Sequence, residues 1–242
     1  MENRIIAIVP AAGLGRRFGA SERKTFVKLG GTPLIIHTLK RLHKENTVSE
    51  IIPVLRQEDI GQGFEMIREY DLHKIKQIAP GGRERQDSIY NALKLIEETG
   101  EDSYLKSLVL IHDGARPVIP EGTIERLLSE IKYVDGVAPG IPAKDTLKKI
   151  SPGGIIISTV NREDIRGIQT PQAFSFKVIN RAYDAAYDKG FYATDDAALV
   201  EETGGKVKII KGSPLNIKVT TPEDLEMVEY FLTKKIKDLA TD

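Results

Sequence analysis

The sequence predicts an α/β fold in which a mostly parallel sheet is covered by helices on both faces. Two observations carry this expectation. Short runs rich in Ile and Val alternate with segments of helical periodicity, and glycine-rich turns follow some of those runs directly. Strands buried on both faces read as continuous apolar runs of this kind. At 242 residues the chain suits one large domain, 1–242, with a core of useful size.

The first run, 5–9 "IIAIV", leads into "PAAGLGRRFGASERK" at 10–24. Leu34, Ile35, Thr38, Leu39 and Leu42 then share one helical face, and strands are expected at 50–55 "EIIPVL" and 74–79 "KIKQIA". "GGRERQDS" opens another helix, entered through Arg85, Asp87 and Ser88, with Ile89, Ala92, Leu93 and Ile96 on its buried face. Further strands are expected at 108–112 "LVLIH", 136–141 "GVAPGI" and 206–211 "KVKIIK". Residues 145–162 break the alternation and read as two strands joined at "SPGG", a β-hairpin within an inserted arm at 143–165. An isolated hairpin is only marginally stable, so this arm needs a partner surface, which a second subunit can supply. The last helix is expected from Pro222 to about Asp238, with Thr221 as its N-cap.

Composition excludes several classes. There is no cysteine, so disulfides, thiolate metal sites and cysteine nucleophiles are ruled out, and only four histidines remain for base or metal work. Lys plus Arg and Asp plus Glu both number 35, so no net field draws the chain to nucleic acid or to anionic membrane. The opening residues lack the pattern of a signal peptide and no run suits a membrane span, which gives the expectation of a cytoplasmic protein with neither a membrane nor a nucleic-acid partner.

The first turn asks for an anion. Gly13, Gly15 and Gly19 have the spacing G-x-G-x-x-x-G, one residue longer than the dinucleotide fingerprint, and Arg23 stands where a Walker loop needs glycine before its lysine. A looser phosphate site remains: amides of residues 11–15, with Arg16, Arg17, Arg23, Lys24 and Lys28 nearby. The alternative is a solvated basic turn. In "VLIHDGARP" an apolar strand runs into Asp113 and Arg116. A carboxylate at the carboxyl end of a strand suits Mg²⁺ in phosphate chemistry, so Asp113 is the candidate metal ligand, and His112 reads as structural. "ATDDAALVEE" places Thr194, Asp195 and Asp196 before a helix, and Lys218 is expected in a short strand between Ile217 and Val219.

In order along the chain, "PAAGLGRR" with Lys24, "GGRERQDS", "HDGARP", "AKDTLK", "TVNR", "QTPQAF", "TDDAALVE" and "NIKVTTPEDL" resemble the 2-C-methyl-D-erythritol 4-phosphate cytidylyltransferases of the non-mevalonate isoprenoid pathway. The resemblance implies a Rossmann-like nucleotidyltransferase fold and transfer of CMP from CTP to methylerythritol phosphate, with Mg²⁺ or another divalent cation. It implies that Ala11, Ala12, Gly13, Gly15, Gly82 and Ser88 bind CTP, that Arg17, Lys24 and Lys218 are catalytic, and that Asp113 sits at the metal. Arg116 and Thr194 would hold the acceptor, and Thr146 and Arg162 on the arm would reach the neighbouring subunit's site in a homodimer with exchanged hairpins. Two positions depart from the family pattern: Arg23-Lys24-Thr25 replaces Pro-Lys-Gln, and Gly114 replaces alanine. The rival readings are a ribitol 5-phosphate cytidylyltransferase and a non-catalytic nucleotide-binding protein.

Overall fold

The computed structural model describes residues 4–13 and 26–233. Its strands are β1 (Ile5–Pro10), β2 (Lys28–Leu29), β3 (Thr32–Pro33), β4 (Glu50–Leu55), β5 (Ala79–Pro80), β6 (Leu108–Ile111), β7 (Gly136–Pro142), β8 (Lys148–Ile150), β9 (Ile156–Thr159), β10 (Arg166–Ile168), β11 (Gln172–Ser175) and β12 (Val207–Lys211). Its helices are α1 (Leu34–His43), α2 (Ile60–Glu69), α3 (Arg85–Glu98), α4 (Asp102–Leu105), α5 (Thr123–Glu130), α6 (Phe176–Asp188), α7 (Asp196–Glu202) and α8 (Pro222–Thr233).

Among the described residues, eight strands form the main sheet, in the order β10-β7-β11-β6-β1-β4-β5, with β12 also paired to β7. β1 runs parallel to β4 and β6, β4 parallel to β5, and β7 parallel to β12. The α/β expectation therefore holds. The sequence pattern did not reveal that β11 runs antiparallel between β6 and β7, so that β7 and β12 beyond it run in the same direction as β6.

Alternate residues of β1 feed two cores, as the period of a strand requires. Ala7 and Val9 pack with Ile36, Leu39, Leu42 and Ile51 on one face. Ile6 and Ile8 pack with Ile89, Leu93, Phe174 and Ile179 on the other. The helical faces read from the sequence are thus the buried ones. α3 begins with a side-chain brace, the Asp87 carboxylate accepting the Glu84 N–H at 2.9 Å.

Two expectations change and a third is met as far as the described residues reach. Of 74–79, only Ala79 belongs to a strand, while Ile75 and Ile78 are core side chains on an irregular segment, so their apolarity serves packing and no ladder. Residues 217–220 form no strand either. A backbone bond from Val219 N–H to the Ala115 carbonyl, 2.9 Å, anchors them beside the loop after β6. The predicted alternation survives, with Val219 buried and Lys218 exposed. The final helix starts at Pro222, where Asp224 N–H reaches Thr221 Oγ1 at 3.4 Å, and the expected stretch past Thr233 lies outside the described residues.

The predicted hairpin is present as β8 and β9, antiparallel, with a turn through Ser151–Gly154 and an irregular register at Lys149/Ile150. Gly154 takes φ +77°, a conformation that glycine adopts without strain. Ile150, Ile155, Ile156 and Ile157 stand 59 %, 70 %, 60 % and 59 % exposed, so this segment buries little of its own apolar surface.

Candidate active site

The carboxyl ends of β1, β4 and β6 continue as loops bonded to one another. Ala11 N–H donates to the Val54 carbonyl at 2.9 Å, Gly81 N–H to Leu55 at 2.7 Å and Gly114 N–H to Pro10 at 3.1 Å. These contacts leave no room for side chains at the joints. A Cβ on Gly81 would overlap that of Ala12, and one on Gly82 would overlap that of Asp87. A Cβ on Gly114 would stand 2.9 Å from Ala11 Cβ, so the departure from alanine here lets the two loops approach closely.

Between the loops lies a cavity of about 740 Å³, lined by Ala11, Ala12, Gly13, Gly82, Arg85, Ser88, Asp113 and Lys218 among others. A site at the carboxyl ends of parallel strands is the usual ligand position in such sheets. Arg56 and Glu58, an ion pair at 2.6 Å, also line it, although neither stands out in the sequence.

Asp113 is the hub of this cavity. Its Oδ2 accepts from Lys218 Nζ at 3.0 Å and from Arg116 Nε at 3.2 Å, and its Oδ1 from Arg85 Nε at 3.4 Å. Burial alone raises the Asp113 carboxyl, but Arg85, Lys218 and Arg116 more than reverse this and hold it well below the usual carboxylate range. Lys218 is the half-exposed member of the group.

A buried chain of hydrogen bonds holds Asp113 from behind. Asp113 N–H donates to Thr170 Oγ1 at 3.0 Å, and Thr170 Oγ1 lies 3.0 Å from His112 Nδ1. His112 Nε2 lies 2.9 Å from the Arg116 carbonyl. A carbonyl only accepts, so Nε2 carries the proton and Nδ1 accepts from the threonine hydroxyl. Burial then lowers His112 to about 4, ahead of the smaller opposing effect of its bond to Arg116. His112 is thus a neutral structural residue, as expected. Asn216 extends the brace, its Nδ2 donating to the Thr170 carbonyl at 2.7 Å and its own carbonyl accepting from Arg116 Nη1 at 2.6 Å.

The candidate residues do not all meet. Thr194 lines a neighbouring cavity of about 620 Å³, which shares Arg83–Arg85 as a wall with the first. Thr146 and Arg162 are exposed on the arm and line neither cavity. Gly15, Arg17 and Lys24 lie outside the described residues. Long-range partners such as Gln86, Thr170, Gln172 and Asn216 were missed. They stand inside the motifs "GGRERQDS", "QTPQAF" and "NIKVTTPEDL", and that placement was the one signal they gave.

Among the described residues, no three His, Asp or Glu side chains stand together as a metal cage. Mg²⁺ in phosphate sites keeps several waters and takes one or two carboxylates plus substrate phosphates. Asp113 fits that mode, because Oδ1 has a single long contact and retains acceptor capacity.

The match to known proteins spans nearly all of this framework. The model of the IspD family, 2-C-methyl-D-erythritol 4-phosphate cytidylyltransferase, covers residues 5–234. The chain belongs to this cytidylyltransferase family. A family member from Bacillus mycoides is 40% identical over 225 residues, 93% of this chain and 96% of that one. Another, from Syntrophus aciditrophicus, is 40% identical over 236 residues, 97% and 98% of the two chains. Among solved structures, the 4-diphosphocytidyl-2C-methyl-D-erythritol synthase of Anaerococcus prevotii superposes with a TM-score of 0.81 at 31% identity, over 96% of this chain and all of that one. The cytidylyltransferase of Thermus thermophilus gives 0.73 at 28% identity, over 93% and 98%. The family is one of nucleotidyltransferases, and the α/β sheet here is the family's fold.

Proposed function

We propose that the chain transfers CMP from CTP to 2-C-methyl-D-erythritol 4-phosphate, releasing pyrophosphate and forming 4-diphosphocytidyl-2-C-methyl-D-erythritol. The observation that carries this is the single cavity in which the glycine-rich loops meet Asp113 and Lys218, in a chain of this family.

An oxygen of the acceptor phosphate attacks the α-phosphorus in line, the bond from that phosphorus to the bridging oxygen breaks, and its electron pair leaves with pyrophosphate. The nucleophile is already an anion, so no protein nucleophile or base is required. What the chain must supply is position and positive charge. Two unit charges about 4 Å apart interact by about 4 kcal/mol at an effective dielectric of 20, and repulsion of that order has to be offset before the phosphates meet.

Ala11, Ala12, Gly13, Gly15, Gly82 and Ser88 seat the nucleotide. Lys218 exchanges its bond to Asp113 for an α-phosphate oxygen, which its exposure permits, while Arg116 and Arg85 keep the carboxylate paired. Arg17 and Lys24 hold the triphosphate from the first loop. Asp113 Oδ1 would hold Mg²⁺ together with phosphate oxygens; when bound, the ion neutralises charge on the nucleotide. Arg116, paired with Asp113 at the edge of the first cavity, and Thr194, in the wall of the second, orient the acceptor.

Thr146 and Arg162 act in the site of a second copy, with the isoleucine-rich hairpin 143–165 as the exchanged arm of a homodimer. Four exposed isoleucines on one short hairpin support this, since such a surface calls for a partner. No helix among the described residues is long and apolar enough to cross a membrane. We place the enzyme in the cytoplasm, acting without a membrane or nucleic-acid partner.

The test is pyrophosphate release from CTP and Mg²⁺ with methylerythritol 4-phosphate, with ribitol 5-phosphate and with no acceptor, side by side. Release with the first acceptor alone is expected. Release with ribitol 5-phosphate alone overturns the acceptor, and release with neither overturns catalysis.

A further inference from the structure

Arg85, the first residue of α3, lies in the wall between the two cavities and is bonded to a carboxylate on each side. Its Nη1 and Nη2 donate to Asp196 Oδ1 and Oδ2 at 3.0 and 2.6 Å, a bidentate pair, while Nε points to Asp113 Oδ1 at 3.4 Å. Asp196 is fully buried and also accepts from Tyr183 at 2.6 Å, so its position in the fold is fixed from two sides. The next residue, Gln86, grips the same loop by its backbone, with Nε2 donating to the Phe191 carbonyl and Oε1 accepting from Ala193 N–H, both at 3.0 Å. On the far side, Gln172 accepts from Ala197 N–H at 3.0 Å and donates to Asp195 at 2.9 Å.

We propose that Arg85 is a positioning residue that locks the 193–196 loop, and Thr194 with it, in register with Asp113, so that the two cavities act as one acceptor site. This rests on the acceptor roles given above to Asp113's surroundings and to Thr194. A planar guanidinium can satisfy one carboxylate bidentately and keep Nε for another. An ammonium is a point charge and cannot hold both in one geometry. Arginine also keeps its charge throughout the working range of pH.

The experiment compares the parent chain with Arg85→Lys and with the double variant Arg85→Ala/Asp196→Asn. Removing the arginine alone would leave a buried carboxylate without its cation, which destabilises the fold whatever the role of the residue. The double variant removes both charges and leaves Tyr183 an acceptor. Three quantities are measured for each: the melting temperature, the Kd for CTP without acceptor, and KM for methylerythritol 4-phosphate. In both variants KM for the acceptor is expected to rise about 10-fold or more, with the Kd for CTP changed less than about threefold, and the double variant is expected to melt close to the parent. A parent-like KM in a folded double variant, or full recovery by Arg85→Lys, overturns the lock. An equal loss of CTP affinity also overturns it, since Arg85 would then serve the nucleotide. The parent's own turnover with this acceptor separates these results from failure of the functional reading. If the parent uses ribitol 5-phosphate instead, the same comparison is made with that acceptor.

Discussion

Lys218 Nζ lies 3.0 Å from Asp113 Oδ2, although the lysine sits on an irregular segment and the aspartate on the loop that follows a central strand. Removing the lysine leaves Asp113 paired with Arg116 and Arg85, so the fold should tolerate the loss. Lys218→Ala is therefore expected to lower kcat by roughly 10²-fold or more, the usual cost of one donor to developing charge, with little change in melting temperature. Near-parental turnover in a steady-state pyrophosphate assay would take Lys218 out of the catalytic group.

The glycine joint between the β1 and β5 loops gives a second expectation. A methyl group at Gly81 meets Ala12 Cβ and, at 3.3 Å, the Leu55 carbonyl oxygen, so one of the nucleotide loops must shift. Displacements near 1 Å cost about 10²-fold in well-ordered sites. Gly81→Ala should lower kcat/KM for CTP by about that factor. Isothermal titration with CTP distinguishes this from a general loss of fold, which would reduce the fraction of binding-competent protein instead.

His112 sets a pH dependence. Its folded value, about 4, lies below the ordinary 6.5 because burial disfavours the charged ring. The unfolded chain therefore takes up a proton first as pH falls, and the stability from the neutral ring is complete above pH 6.5 and lost between 6.5 and about 4. At 1.36 kcal/mol per unit, the loss is roughly 3 kcal/mol. His43 is also lowered, by burial and then by His73 and Lys74, and contributes in the same direction. The diagnostic quantity is the difference between chains: His112→Gln should melt with a shallower pH dependence across this window. Parallel curves would remove His112 as the source.

For the arm, Ile156→Asp should shift the protein toward monomer in sedimentation velocity at micromolar concentration. Arg162→Ala should keep the dimer while raising KM for the acceptor, because uniform binding is lost. A parent chain that sediments as a monomer at all concentrations would contradict the exchanged arm.

Much of the fold was legible because it rests on local periodicity. β1, β4, β6 and the buried faces of α1 and α3 follow from apolar spacing alone. The antiparallel insertion of β11 was not legible, since "QAFS" carries no sign of strand direction or neighbour. Residues 74–79 misled for a related reason: Ile75 and Ile78 fill the core from an irregular segment, and burial without a ladder looks like a strand in sequence. In the site, Asp113 and Lys218 declared themselves by type and position. Arg85 showed only as a first-turn residue, because its meaning depends on Asp196, which packing alone brings within reach.

β7 and β10 meet in register at Pro142 and Arg166, so the chain leaves the sheet for the arm and returns to it on adjoining strands. The arm is in effect a cassette. Trimming 143–165 to a tight turn would keep every strand pair of the main sheet, while removing Thr146 and Arg162 with the arm. The main sheet and the projecting hairpin are thus encoded in separable stretches of the same polypeptide, and the length of one can change without breaking the strand pairs of the other.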